Sequence, residues 1–205
     1  MGQTKGYRPA MTHIKLSGII DHDLQLKLTE KIGRDLTNSA FFEKFLDDLV
    51  SLMKNGDWGS NTLKNELTEK EQDHLLLVAK RLNEIGHVTV DQDIALQCDA
   101  EYVNMNPTLT LMTLALACCF NTSSKPYFWN TYQCYLKNTP RVVEYEYNLL
   151  KDRNVAFGAK CVRGAYMDSE RKRAKNEGLE SPVCESIEAT HENYNNVVQS
   201  LLQNG

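Results

Sequence analysis

Apolar and polar positions change their spacing several times along this 205-residue chain, and each change marks an element. "THIKLSGI" (Thr12–Ile19) alternates and predicts a short strand. From Asp23 to about Met53, apolar residues recur every third or fourth position. Leu24, Leu26, Leu28, Ile32 and Leu36 lead into Phe41, Phe42, Phe45, Leu46, Leu49, Val50 and Met53, which is a helical pattern. "KNGDWGSN" (Lys54–Asn61) breaks it. Thr68 and Glu71 then form a capping box, in which each side chain serves the other's backbone N–H. The helix it opens carries Leu75, Leu76, Val78, Ala79, Leu82 and Ile85 and is expected to stop at Gly86.

The second half alternates strand and helix. "IALQCDAEY" (Ile94–Tyr102) is a strand ending in two acids. Asn106 and Pro107 read as an N-cap with proline at the first helical position. The helix after them, Thr108–Phe120, is apolar nearly all round and should be buried. Tyr127–Leu136 is rich in aromatics and predicts a strand. Thr139-Pro140 repeats the helix start, with a helix to about Asp152. "AFGAKCVRGAY" (Ala156–Tyr166) is a further strand, followed by a helix after Ser169. The last helix, from about Ser186, buries Tyr194, Val197, Val198, Leu201 and Leu202.

Such alternation with short loops argues for an α/β fold with a parallel sheet. No Gly-x-Gly-x-x-Gly follows any strand, so the dinucleotide-binding doubly wound fold lacks its signature. A (β/α)8 TIM-barrel type fits better, but such a barrel takes ~250 residues. Four to five β/α units are visible. We therefore expect one partial barrel domain over residues 1–205, with a mainly helical insertion at about 21–88.

Composition narrows the function classes. Lys plus Arg is 23 and Asp plus Glu 27, a formal charge of −4, so no basic excess answers nucleic-acid phosphate. The six cysteines form no Cys-x-x-Cys and precede no zinc-finger histidine pair, and read as buried thiols of a reducing compartment. "MGQTKGYRPA" has no signal-peptide core and is too short and too poor in Arg and Ser for a transit peptide. The apolar run Leu109–Phe120 falls short of the ~20 residues of a membrane span. "DQD" (Asp91–Asp93) lacks the glycine and closing glutamate of a calcium loop, and no metal site is expected.

In parallel α/β proteins, reactive residues gather at the C-terminal ends of strands. Here those ends carry Asp99 and Glu101, then Thr131 and Gln133, then Lys160, Arg163 and Tyr166, with Lys15 on the first strand. Each has a structural alternative: Lys15 facing solvent, Asp99 capping a turn, Gln133 satisfying backbone. Together they are two or three cations with few acids. Burying unpaired cations is costly unless a ligand compensates, so the cluster points to an anionic or electron-accepting ligand. A Schiff-base aldolase using Lys160 or Lys15 is a competing reading, and needs a lysine in an apolar pocket.

"CDAEYVNMNP", "WNTYQCYLKNTP", "FGAKCVRGAYMDSER" and "IEATHENYN" resemble, in order and spacing, the proline dehydrogenase family, which includes hydroxyproline dehydrogenase. The resemblance covers Cys98–Asn195 and extends more weakly to "HIKLSGI". It implies an FAD-dependent enzyme on a distorted (β/α)8 barrel. Such an enzyme oxidises L-proline to Δ1-pyrroline-5-carboxylate by hydride transfer to flavin N5 and passes electrons to a quinone. In eukaryotes it works on the matrix side of the mitochondrial inner membrane. Lys160 resembles the basic residue near flavin N5, and Asp99 the acid at the flavin and substrate site. Thr131 and Gln133 resemble the pair facing the pyrimidine edge. Val162, Arg163, Gly164 and Ala165 resemble the segment running along the cofactor, and Thr190 a further FAD contact. Tyr166 resembles the substrate-pocket wall and Lys15 the lysine holding the substrate carboxylate. The family's later strands, and its C-terminal helix with a Tyr and an Arg pair, have no counterpart here. The chain is therefore expected to be a fragment, inactive or flavin-binding only when isolated.

Overall fold

The computed structural model describes residues 10–204, so all but Ala10 of the N-terminal stretch discussed above lies outside the described residues. Four strands, β1 (Met11–Ile14), β2 (Ala95–Cys98), β3 (Phe128–Gln133) and β4 (Ala159–Val162), form one all-parallel sheet in chain order. The helices are α1 (His22–Ile32), α2 (Phe42–Asn55), α3 (Thr62–Asn65), α4 (Glu69–Asp91), α5 (Asn106–Phe120), α6 (Thr139–Asp152), α7 (Met167–Asn176) and α8 (Ile187–Asn204).

The register sorts the strand residues into two faces, because alternate residues point to opposite sides. His13, Gln97 and Trp129 are lateral neighbours, as are Thr131 with Lys160 and Gln133 with Val162. These, with Asp99 two residues beyond Gln97, share one face. The other face carries Ile14, Leu96, Cys98, Phe128, Asn130, Tyr132, Ala159 and Cys161 and meets the helices. There α5, apolar all round as its sequence demands, is buried along Pro107–Ala117. It packs on β3 and is covered in turn by α1, α2 and α4. Leu28, Phe42, Phe45, Leu46, Leu49, Leu82 and Leu109 fill this core.

The structure corrects several expectations. The strand Thr12–Ile19 ends at Ile14, and Leu16–Gly18 forms a 3-10 turn that drops Leu16 fully into the core. The Asp23–Met53 helix is two helices, parted where Gly33 takes a positive φ of 88° and Asp35 caps a 3-10 turn at Leu36–Asn38. The Thr68–Glu71 capping box forms as read. Its helix does not stop at Gly86 but continues to Asp91. Gly86 is instead a point of close approach, where a Cβ would lie 2.0 Å from Phe120 Cε2 of α5.

Nor are Asn106 and Thr139 N-caps. Asn106 accepts from the Glu101 N–H (3.1 Å), and Thr139 donates to the Gln133 carbonyl (2.7 Å). Both tie a helix start to a strand end rather than capping the helix. The predicted strands Ile94–Tyr102, Tyr127–Leu136 and Ala156–Tyr166 shorten to β2, β3 and β4, because their outer residues turn into the loops that carry the polar groups.

Candidate active site

The concave face owes its chemistry to strand ends. Lys160, in β4, is cross-strand partner of Thr131 in β3. Asp99 is the first residue beyond β2, where the strand's N–H ladder ends by donating from Asp99 to the Ile14 carbonyl. Lys160 Nζ donates to Asp99 Oδ1 at 2.6 Å, reaching past β3 to do so. The side chains of Lys160 and Asp99 are 23% and 25% exposed, so the pair is partly desolvated yet open on one side. His13 of β1 joins it, with Nδ1 3.3 Å from Lys160 Nζ and 3.6 Å from Asp99 Oδ1. In a flat sheet β1 and β4 would stand about 14 Å apart, three strand spacings. Their side chains meet because the sheet curls.

A second group sits at the ends of β2 and β3. Gln133 Nε2 donates to the Glu101 carbonyl at 2.9 Å, and the Tyr135 hydroxyl donates to Gln133 Oε1. Tyr135 Oη in turn accepts from the Tyr166 N–H at 3.3 Å. Burial pushes the Tyr135 phenol up to about 12, which keeps it a neutral donor toward the Gln133 amide. Glu101 is anchored to the turn after β1 by the Ser17 hydroxyl. The Tyr166 ring lies 4.4 Å from that of Tyr102. Thr131 donates to the Cys98 carbonyl at 2.7 Å, which locks β3 to β2 just below Asp99.

The remaining expected residues are dispersed. Arg163 lies over the Tyr194 ring, 4.2 Å from its centroid, and its Nη1 is 3.0 Å from His191 Nδ1. It thus faces α8 rather than the Lys160 cluster. Thr190, on α8, donates to the carbonyl of Ser186, the residue just before that helix. Gly164 and Ala165 are exposed, and Val162 is half-buried beside Gln133. At Gly164 a Cβ would meet Met167 Sδ at 3.1 Å. Lys15 is exposed just beyond β1, and no hydrogen bond or ion pair joins it to the others among the described residues. The expected surplus of unpaired cations is not met: Asp99 compensates Lys160, and Arg163 stacks on an aromatic ring.

Two residues escaped the sequence reading. His13 stands two positions before Lys15 in an alternating strand, which was the signal for a shared face. Glu146 stands on the apolar stripe of α6 among Val142, Val143, Leu149 and Leu150, an odd place for a carboxylate. It is fully buried and accepts from Asn130 Nδ2 (2.9 Å) and the Tyr132 hydroxyl (2.6 Å). Burial raises its pKa to about 7 against the lowering effect of those two bonds.

The six cysteines are free thiols. Cys98, Cys134 and Cys184 are buried and the other three half-buried. Burial pushes Cys98 and Cys119 up to about 12 and Cys118 to about 11. Among the described residues no helix is long and apolar enough to cross a membrane.

Known proteins place this architecture. The crystal structure of proline utilization A (PutA) from Bdellovibrio bacteriovorus inactivated by N-propargylglycine superposes with a TM-score of 0.55 at 21% identity. The match covers 66% of this chain and 14% of that one. The curled sheet is thus part of a TIM-barrel-type fold whose barrel the four strands do not complete. The hydroxyproline dehydrogenase of Xenopus laevis is 32% identical over 98% of this chain and 42% of its own length. That of Bos taurus is 36% identical over 94% and 41%. Proline dehydrogenase 1, mitochondrial, of Drosophila melanogaster is 33% identical over 91% and 24%. The chain therefore spans well under half the length of these relatives. The family model described as proline dehydrogenase matches residues 21–205, a stretch that holds Asp99, Gln133, Lys160 and Tyr166, and with these relatives it shows that the chain belongs to the proline dehydrogenase family.

Proposed function

We propose that the concave face forms the FAD-binding floor of an enzyme that oxidises L-proline to Δ1-pyrroline-5-carboxylate. The observation that carries this reading is the Lys160–Asp99 pair, held at the strand ends of a parallel sheet in a proline dehydrogenase chain. The donor set fits a flavin. It offers a cation on an open face, a side-chain amide for an edge that alternates donors and acceptors, and a turn at Gly164 without a Cβ.

When bound, FAD would supply the acceptor for a hydride leaving the carbon next to the ring nitrogen. The protein's part is to position and polarise. Asp99 fixes the Lys160 ammonium, whose charge would favour the added electron density of a bound, reduced flavin. Glu101 and Tyr135 orient the Gln133 amide, and Thr131 braces the two strands below. The backbone of Val162, Arg163, Gly164 and Ala165 would run along the cofactor, and Thr190 would be a further polar contact. Tyr166, braced by Tyr102 and Tyr135, would wall the substrate ring, and the Lys15 ammonium, unpaired among the described residues, suits its carboxylate. Lys160 is a poor Schiff-base lysine, since a carboxylate lies 2.6 Å from its amine.

Oxidation of 4-hydroxyproline by the same chemistry is the second reading, favoured by the names of the Xenopus laevis and Bos taurus relatives. A quinone as electron acceptor and the matrix side of the mitochondrial inner membrane complete the proposal. The mitochondrial names of relatives such as the Drosophila melanogaster protein support the mitochondrion alone.

The test adds FAD to the purified, folded chain and follows the flavin absorbance band and fluorescence. Saturable binding with a perturbed band is expected, without proline-dependent bleaching by this chain alone. A folded chain that leaves FAD fluorescence unchanged would sink the reading, and so would borohydride trapping of a carbonyl substrate on Lys160.

A further inference from the structure

Side chains from β1, β4 and the end of β2 meet on the concave face at distances that restrict what each atom can do. Lys160 Nζ lies 2.6 Å from Asp99 Oδ1 and 3.3 Å from His13 Nδ1, and the same Nδ1 lies 3.6 Å from the same Oδ1. An ammonium has donors only, so Lys160 can bond His13 Nδ1 only where that nitrogen carries no proton. The neutral ring then holds its proton on Nε2. At 3.6 Å the carboxylate oxygen is too far for a hydrogen bond, so Nδ1 serves Lys160 and not Asp99.

A proton on Nδ1 reverses these roles. The acceptor becomes a donor, and two cations then stand 3.3 Å apart beside one carboxylate oxygen. The imidazolium gains by closing on Asp99 Oδ1. Lys160 loses one acceptor and must share the other. Both side chains have room to move, since that of His13 is 58% exposed and the face is open on one side. The remaining groups around the ring do not compete for these roles. Gln97, its lateral neighbour on β2, is neutral. Lys15, two residues on along the chain, is joined to none of the three by a hydrogen bond or ion pair among the described residues.

We propose that His13 is a positioning residue that makes the Lys160 ammonium respond to pH. Neutral, it holds the ammonium against the sheet. Protonated, it claims Asp99, releases the ammonium toward the open face and adds its own charge there. The three side chains together are neutral in the first state and carry one net positive charge in the second. The change falls in the range, about pH 5 to 8, where histidine gains and loses its charge. The consequence for a flavin rests on the reading of this face as its floor. An added cation favours the electron-rich reduced form, so bound FAD should be easier to reduce in acid than its own proton uptake provides for. The triangle of Lys160, Asp99 and His13 does not depend on that reading.

The first test reads the ring in the chain without added ligand. Long-range proton–nitrogen correlation spectra separate the two neutral tautomers, and His13→Gln assigns the His13 signals. At about pH 8 the Nε2–H tautomer is expected. Lys160→Met should shift it toward Nδ1–H, because Asp99 is then the partner that remains. The second test measures the midpoint potential of FAD bound to the chain at about pH 5 and about pH 8. His13→Gln keeps an acceptor for Lys160 but cannot take a proton. The potential should fall further with rising pH in wild type than in His13→Gln. The expected excess is at least tenfold in the reduction equilibrium, about 30 mV for a two-electron couple. Near-ultraviolet circular dichroism verifies the folding of each variant, and the wild-type tautomer decides alone if Lys160→Met unfolds. The proposal is overturned if wild-type His13 carries its proton on Nδ1 at about pH 8. It is equally overturned if the tautomer ignores Lys160→Met, or if wild type and His13→Gln lose potential equally. A folded chain that binds no FAD sinks the flavin floor instead, and the tautomer then supports or overturns the role of His13 by itself.

Discussion

Lys160 and Asp99 belong to strands that are not neighbours, yet their side chains meet at 2.6 Å across the face of β3. The contact exists because the sheet curls and because Asp99 stands one residue beyond its strand, free to lean inward. It makes the two residues a unit, and the first prediction concerns that unit. Lys160→Met removes a charge-assisted contact worth about 1.5–3 kcal/mol and should weaken FAD binding by roughly ten- to a hundredfold. Asp99→Asn should weaken it less, since the ammonium stays. Fluorescence titration with FAD measures both, and equal binding by wild type and Lys160→Met would count against the flavin floor.

Glu146 should make stability fall as pH rises. Its native pKa is raised to about 7, from an ordinary value of 4.5 that the unfolded chain keeps. Below pH 4.5 both states hold the proton and nothing is lost. Between 4.5 and 7 the unfolded chain releases it while the buried carboxyl retains it, so unfolding is favoured by about 3 kcal/mol once pH passes 7. Urea midpoints at pH 5 and pH 8 should differ more in wild type than in Glu146→Gln. Equal shifts in the two would contradict the assignment.

Gly86→Ala should destabilise, although alanine is the better helix former. The new Cβ would press on a Phe120 ring already held by His87 at 5.2 Å and Phe128 at 5.9 Å between centroids. Overpacking costs about 1–3 kcal/mol against a propensity gain of about 1 kcal/mol. A thermal melt should show the loss. Trimming Phe120 to alanine in the same chain should make Gly86→Ala harmless or favourable.

Asn121 serves four main-chain groups. It donates to the Phe128 and Ala156 carbonyls at 3.1 and 2.9 Å and accepts from the Tyr127 and Phe128 N–H at 3.0 and 2.8 Å. It therefore fixes the entry of β3 and the approach to β4. Asn121→Ala should cost about 3 kcal/mol. Hydrogen exchange should show the amides of β3 losing protection first, whereas a uniform loss would point to a general packing defect.

Local pattern determined much of this protein. The alternation of strand with helix, the capping box at Thr68 and the fully apolar α5 depend on neighbours within a few residues, and all were legible. So were the polar strand ends that carry Asp99, Gln133 and Lys160, because a charge beside an apolar run stands out in one dimension. Contacts between distant segments decided the rest. Gly86 looks like a helix stop until Phe120, from another helix, explains why a side chain is excluded there. Asn106 and Thr139 look like caps until the strand ends they bind come into view. Lys160 looks like an uncompensated cation until curl brings Asp99 and His13 beside it, and Glu146 becomes a buried, half-satisfied carboxyl only once Asn130 and Tyr132 face α6. Propensity and patterning act through the nearest turn of chain, whereas pairing of charges and closure of cavities depend on which surfaces the curl of the sheet brings together.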